Sequence, residues 1–243
     1  MKLNNKRIVI TGGTSGIGYE MAKMLSPNNE VIVIARCPGK LKKLSRELGG
    51  VIPFQADLSK TDEVEGVADR ISKRFDSLDV LINNAAVQNT PTFLDDSFVY
   101  ENISREVTLN FTSICCLTYL LLPLLLQENE TAVLNVNSGL ALAPKTSSAI
   151  YCSTKGALNI FTQSLRYQLE NTKISVQQVF LEMVDTEMTR GRGKNKMSAL
   201  DAAEKIIFGI ERNIADHNIG KVKLLRAILR LAPSIAHKIM KKY

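Results

Sequence analysis

Arg7–Thr11 (RIVIT) runs directly into Gly12-Gly13-Thr14-Ser15-Gly16-Ile17-Gly18, and this junction restricts the chain more than any other stretch. A short β-branched run ended by glycines reads as a buried parallel strand. Ile17 to Leu25 then reads as a helix that stops near Pro27. Strand, glycine turn and helix N-terminus together can cradle a pyrophosphate on backbone N–H groups and the positive end of the helix dipole. Gly12, Gly16 and Gly18 follow a GxxxGxG spacing instead of GxGxxG, so the general dinucleotide fingerprint is only partly met and a plain tight loop stays open.

The same alternation repeats downstream. Glu30–Ala35, Val51–Gln55, Leu78–Ile82, Ala132–Asn137 and Ser175–Phe180 read as strands, with helical segments between them. Strands alternating with helices predict an α/β fold of Rossmann type: a doubly wound parallel sheet with helices on both faces. A chain of 243 residues, 45% hydrophobic and 23% charged, can bury one core, so residues 1–243 are read as one domain. Cys37, Cys115, Cys116 and Cys152 show no CxxC pair and no metal-like spacing with His217 or His237. Neither a disulfide framework nor a metal site is expected, and a reducing, cytoplasmic setting is. The N-terminus has no signal-peptide pattern. The apolar run Ile114–Leu126 contains Pro123 and falls short of the about 18 residues that suggest a membrane span. It reads as a buried or interfacial helix.

The net charge of +7 is concentrated near one end. Lys221, Lys223, Arg226, Arg230, Lys238, Lys241 and Lys242 match the whole excess, and no acid lies among them. This is a basic extension over about 217–243 on a neutral body, unlike a nucleic-acid-binding protein that is basic across a face. Lys223, Arg226 and Arg230 share one side of a helical wheel, with Leu224, Leu225, Ile228, Leu229 and Leu231 opposite, up to Pro233. Such a helix suits peripheral contact with an anionic membrane at its inner face, or packing on its own domain. The second is the commoner arrangement.

Tyr151-Cys152-Ser153-Thr154-Lys155 places a tyrosine and a lysine at i and i+4 on one helix face. A free phenol titrates near pH 10, about three units too high for easy proton exchange at neutral pH; a fixed ammonium would pull it down. Taken alone, the pair could simply share a face. Arg36 follows the second strand, where dinucleotide folds read the adenosine ribose, and arginine there suits a 2′-phosphate. NADP(H) is therefore favoured over NAD(H), with a solvated arginine as the alternative. Asn83-Asn84-Ala85-Ala86 ends the fourth strand, at the sheet edge where such folds bind ligands.

TGGTSGIG, Asp57, NNAA, Asn110, Ser138 and YCSTK together resemble the short-chain dehydrogenase/reductase family over about residues 5–190. VDTEMT and IGKVKLLRAILRLAP resemble the DltE-like branch of that family. The resemblance implies an oxidoreductase that interconverts a carbonyl and an alcohol. Gly12, Thr14, Ser15, Gly16, Ile17 and Gly18 would wrap the cofactor, with Asp57 and Leu58 near the adenine and Asn83 and Ala85 alongside. Tyr151 would be the acid/base, Lys155 would hold the ribose and lower the tyrosine pKa, and Ser138 would bind the substrate oxygen. Asn110 would support a water-linked proton relay through Lys155. Val184 and Thr186 would reach the carboxamide, and Asp185–Met197 would form a lid. A homodimer or homotetramer with isologous contacts is implied as well.

Two departures stand out. Leu181-Glu182 occupies the place where the family commonly has Pro-Gly or Pro-Pro, and Ser15 the place where many NADP-linked members carry a basic residue. Arg190, Arg192, Lys194 and Lys196 could favour an anionic substrate or form a solvated loop. A cofactor-binding sensor without turnover, or an envelope-associated interaction protein, remains the alternative to a small-molecule carbonyl reductase.

Overall fold

Every run that reads as a buried strand pairs in parallel with another. In the computed structural model, which describes residues 1–242, one sheet has the order β3-β2-β1-β4-β5-β6-β7. Its strands are β1 (Arg7–Thr11), β2 (Glu30–Ala35), β3 (Val51–Gln55), β4 (Val80–Asn83), β5 (Thr131–Ser138), β6 (Ile174–Leu181) and β7 (Asp216–Asn218). The intervening helices are α1 (Gly16–Leu25), α2 (Pro38–Glu47), α3 (Thr61–Arg74), α4 (Glu101–Val107), α5 (Ser113–Leu125), α6 (Ala149–Gln168) and α7 (Ala199–Glu211).

Both faces of the sheet are covered, which is why β1 carries β-branched residues without polar alternation. Ile8 and Ile10 pack toward Met21, Ala22, Ile206 and Ile210 of α1 and α7. Val9, pointing the other way, joins Ile71, Leu117, Leu121 and Leu165 of α3, α5 and α6. Leu121 is fully buried, and truncating such a leucine to alanine typically removes about 2–5 kcal/mol.

The chain runs outward from β1 to β2 and β3, then returns to β4 on the other flank of β1. At that reversal the helices leave on opposite sides, so a crevice opens at the carboxyl ends of β1 and β4. Thr11 ties the two ends together, its hydroxyl accepting from the N–H groups of Asn84 and Ala85, each at 2.9 Å.

Helix α4 passes into α5 through a π-helical turn, Thr108–Thr112. The continuous helix Glu101–Leu125 is long and apolar enough to cross a membrane by length and composition. Here Leu117 and Leu121 pack into the core, while Tyr119 is exposed.

Three elements differ from the sequence expectation or go beyond it. Strand β4 starts at Val80, because the Leu78 N–H is taken by the Leu124 carbonyl at 2.8 Å. Helix α7 is not among the expected elements, although Ser198 caps it and Ala202, Ala203, Ile206 and Ile210 recur on its buried face. Another is β7, a polar Asp-His-Asn triplet that pairs with β6 and so takes the first residues of the stretch expected to be an extension. Beyond it lie α8 (Val222–Leu231) and α9 (Pro233–Lys241), the latter begun by the proline that ends the former. Residue 243 lies outside the described residues.

Candidate active site

The glycine turn is shaped for close approach. Gly12 has φ +71°, and a Cβ there would stand 3.0 Å from the Cα of Ala85; Gly16 has φ +54° and faces the Thr186 methyl at 3.0 Å. L-residues with side chains rarely adopt that region. Ser15 is the N-cap of α1 and its hydroxyl makes no cap bond, so the first N–H groups of the helix have no side-chain acceptor there. A phosphate is the natural acceptor for such a terminus, and the cradle fits one.

A cavity of about 1010 Å³ runs from this cradle past the ends of β4, β5 and β6. Gly12, Thr14, Ser15, Gly16, Ile17, Arg36, Asp57, Leu58 and Ala85 line one part of it. Burial pushes the Asp57 carboxyl up, but its bonds from the Ser59 N–H and hydroxyl, with Arg36 and Arg105 nearby, outweigh that and hold it below its ordinary value. Lys40 lines the same end and stands 3.6 Å from Glu187 across the cleft.

Two expected cofactor residues do not line the cavity. Asn83 turns into the core, donating to Thr118 at 3.2 Å and Asn135 at 2.9 Å, and its neighbour Asn84 faces the cleft instead. Gly18 lies behind the turn, where a side chain would collide with the Gly12 carbonyl and the Asn84 amide. Its task is close packing of helix on strand.

At the other part of the cavity, Ser138 at the end of β5, Tyr151 and Lys155 in α6, and Val184 and Thr186 after β6 all line the wall. Lys155 is 2% exposed; its Nζ donates to the Val136 carbonyl at 2.8 Å and stands 5.7 Å from the Tyr151 ring centroid. Burial pushes its amine down from 10.5 to about 8. The expectation that Lys155 lowers the tyrosine pKa is not met. Burial pushes the Tyr151 phenol up; Cys152 and Glu106 add to this, while the bond to Ser138 and the Arg192 charge oppose it. Lys155 is not among the groups that move the phenol; its own ammonium is desolvated and aimed at the Val136 carbonyl.

Asn110 sits in the π turn, fully buried and outside the cavity wall. Its side chain accepts from the Val87 N–H at 2.9 Å and donates to the Val87 carbonyl at 2.8 Å and to Thr154 at 3.3 Å. It therefore fixes the loop after β4, and its side chain makes no bond to Lys155. Glu106, one turn earlier and 1% exposed, accepts from the N–H and side-chain amide of Asn89 at 3.3 and 2.9 Å.

The basic residues of the 185–197 segment are engaged within it and beside it. Lys196 pairs with Asp185 at 2.6 Å, Arg190 with Glu187 at 3.5 Å, and Arg192 donates to Gln88 at 2.9 Å and to the Met188 carbonyl. None of the four basic side chains, Arg190, Arg192, Lys194 and Lys196, lines the cavity. Glu182, at the departure from Pro-Gly, is 3.8 Å from Lys221 and fills the space where a side chain on Gly220 (φ +63°) would go.

Sequence reasoning missed the far wall. Val222, Leu224, Leu225 and Ile228 of α8 and Ala236, Ile239 and Met240 of α9 line the same cavity as Tyr151, and so does Lys145. The amphipathic pattern of the extension was the one available signal. Arg226, expected on a solvated basic face, instead stands 4.5 Å over the Phe180 ring and donates to Asn218 at 2.5 Å.

The sequence profile described as "short chain dehydrogenase" matches residues 6–197. The chain belongs to the short-chain dehydrogenase family. It is accordingly an NAD(P)-dependent oxidoreductase of that family. It is similar to an uncharacterized oxidoreductase DltE of Bacillus subtilis (strain 168), 35% identical over 191 residues, covering 78% of this chain and 76% of that protein. That agrees with the branch its C-terminal wording resembles. The NADP-dependent 3-hydroxy acid dehydrogenase of Schizosaccharomyces pombe is 30% identical over 236 residues, covering 87% of this chain and 89% of its own. In fold it resembles a short chain dehydrogenase from Burkholderia cenocepacia J2315 in complex with NADP, at a TM-score of 0.87 and 22% identity, over 99% of both chains.

Proposed function

We propose that this short-chain dehydrogenase interconverts a carbonyl and an alcohol with NADP(H) preferred, Tyr151 serving as acid/base. One observation carries the reading: Ser138, Tyr151 and Lys155 line the same cavity as the glycine cradle and Arg36. A binding module would not need a proton-transfer set at the end of a dinucleotide cleft.

When bound, the nicotinamide supplies or accepts the hydride. In reduction, the Tyr151 O–H bond breaks and its proton goes to the substrate oxygen as the carbonyl carbon gains hydride; oxidation reverses both transfers. Ser138 donates a hydrogen bond to the same oxygen and steadies its developing charge. Lys155 holds the ribose hydroxyls in place and, once cofactor and substrate displace water, favours the phenolate left on Tyr151. Gly12, Thr14, Ser15, Gly16 and Ile17 hold the pyrophosphate, Asp57 and Leu58 the adenine side, and Val184 and Thr186 the carboxamide side. Arg36 meets a 2′-phosphate, with Lys40 as a second cation on that wall. The names of the yeast enzyme and the Burkholderia complex support the NADP reading.

The test is a purified-protein assay with NADPH and NADH against a broad carbonyl panel, followed at the nicotinamide absorbance. Cofactor binding without turnover of any member would favour the sensor reading instead. We further infer a cytoplasmic homodimer or homotetramer joined through the outer faces of α5 and α6, where Tyr119, Ile160 and Tyr167 are exposed. The contact of α8 and α9 with the cavity supports a packed extension; the membrane reading predicts salt-sensitive cosedimentation with anionic vesicles.

A further inference from the structure

Resting on the reductase reading, we infer that the cavity takes a carbonyl carried on a long unbranched aliphatic chain, with the α8–α9 pair as the apolar wall along which the chain lies.

The pair is docked firmly at several points. Val222 is 3% exposed and Ala236 fully buried, Arg226 stands on Phe180, and the Thr146 hydroxyl donates to the Lys241 carbonyl at 2.7 Å. Its apolar face nevertheless stays wet. Leu224 is 62% exposed and Ile239 51%, although both line the cavity that holds Tyr151. Large apolar side chains fixed around open space in a catalytic cleft are surface left for a ligand to cover.

The wall begins beside the reacting end. A Cβ on Gly139, the residue after Ser138, would stand 3.1 Å from Val222 and 3.6 Å from Leu225. From there it continues through Ile228 to Ile239. The charged groups at the root of α8, Glu182 and Lys221, stand 3.8 Å apart. A short polar carbonyl compound would leave Leu224 and Ile239 uncovered, whereas a straight alkyl chain covers them while its carbonyl stays at Ser138 and Tyr151.

The experiment measures NADPH-dependent reduction of methyl ketones from butanone to dodecanone. kcat/KM should climb with length by up to roughly fourfold per methylene, the equivalent of about 0.8 kcal/mol for each one buried. Leu224→Gln and Ile239→Gln, at positions exposed enough to leave folding unchanged, should flatten the climb, lowering kcat/KM for dodecanone far more than for butanone. A level series in the wild type, or a slope that survives both substitutions, overturns the inference. Absence of turnover with every ketone would count against the reductase reading alone, and binding then decides: dodecanone should displace cis-parinaric acid from the wild type and poorly from the two variants. No displacement from the wild type overturns the aliphatic site.

Discussion

The Lys155 ammonium donates to the Val136 carbonyl at 2.8 Å from one helical turn beyond Tyr151, so strand β5 fixes a buried amine at the wall of the cleft. The carbonyl favours the charged amine, but burial prevails and lowers its pKa to about 8. If protonated Lys155 is required, kcat/KM for reduction should fall as pH rises through about 8, because that parameter reports groups of the free enzyme. Stability runs in the opposite sense. The unfolded chain binds this proton more tightly, so Lys155 opposes folding at neutral pH and ceases to do so as pH climbs toward 10.5. A rate profile level through that region would remove Lys155 from the proton-transfer set.

Tyr151→Phe removes only the transferable proton and a hydroxyl. Turnover should drop by about 10²–10⁴-fold, the usual worth of a positioned acid/base. Cofactor affinity, measured by calorimetry, should change little. Near-normal reductase activity in this variant would end the assignment.

In the proposed reading Arg36, which directly follows β2, is the cation nearest the adenosine, with Lys40 on the same wall and Ser15 uncharged. The wild type should prefer NADPH, and Arg36→Ala should reduce the NADPH/NADH ratio of kcat/KM by at least about tenfold, the equivalent of roughly 1.4 kcal/mol. An enzyme that prefers NADH from the start would show that Arg36 has been misassigned.

Burial raises the Glu106 carboxyl above its ordinary pKa despite its two bonds from Asn89. The folded protein thus holds this proton more tightly than the unfolded chain does. Its contribution favours folding at low pH and is lost as pH rises past the carboxylate range. Glu106→Gln should therefore gain in melting temperature relative to the wild type on going from acidic to neutral pH. Parallel curves for the two proteins would contradict this.

On the outer faces of α5 and α6, Tyr119 is 75% exposed, Ile160 63% and Tyr167 69%. Covering them against a second copy predicts a dimer or tetramer by light scattering at micromolar concentration. Tyr119→Glu combined with Ile160→Glu should yield monomers that stay folded by circular dichroism. A wild type that is already monomeric would count against the interface.

The parts most legible in the sequence were those where local chemistry admits few residue types. The turn at Gly12 and Gly16 could be read because positive φ is a local matter, whereas the Tyr151/Lys155 pair, whose spacing alone fits any shared helix face, took its meaning from the family resemblance. Asn83 and Asn84 could not be told apart, since both faces of a doubly covered strand are buried and alternation carries no sign of which side meets the cleft. Strand β7 has no apolar pattern to read. The Tyr151 pKa depends on water excluded by residues far away in the chain, and the contact of α8 and α9 with the cavity is long-range packing that no periodicity encodes.

The π turn at Thr108–Thr112 holds one more residue than an α-helical turn would. Each α-helical residue rotates the chain by about 100°, so this surplus sets the phase of α5 relative to α4. Glu106 and Asn110 meet the strand-end loop at Asn89 and Val87, while Leu117 and Leu121 keep the sheet side. Loss of a single codon in this stretch would leave composition and hydropathy almost unchanged. It would nevertheless swing one half of the helix out of step with the other, and either the cleft-side loop or the buried ridge would lose its partners.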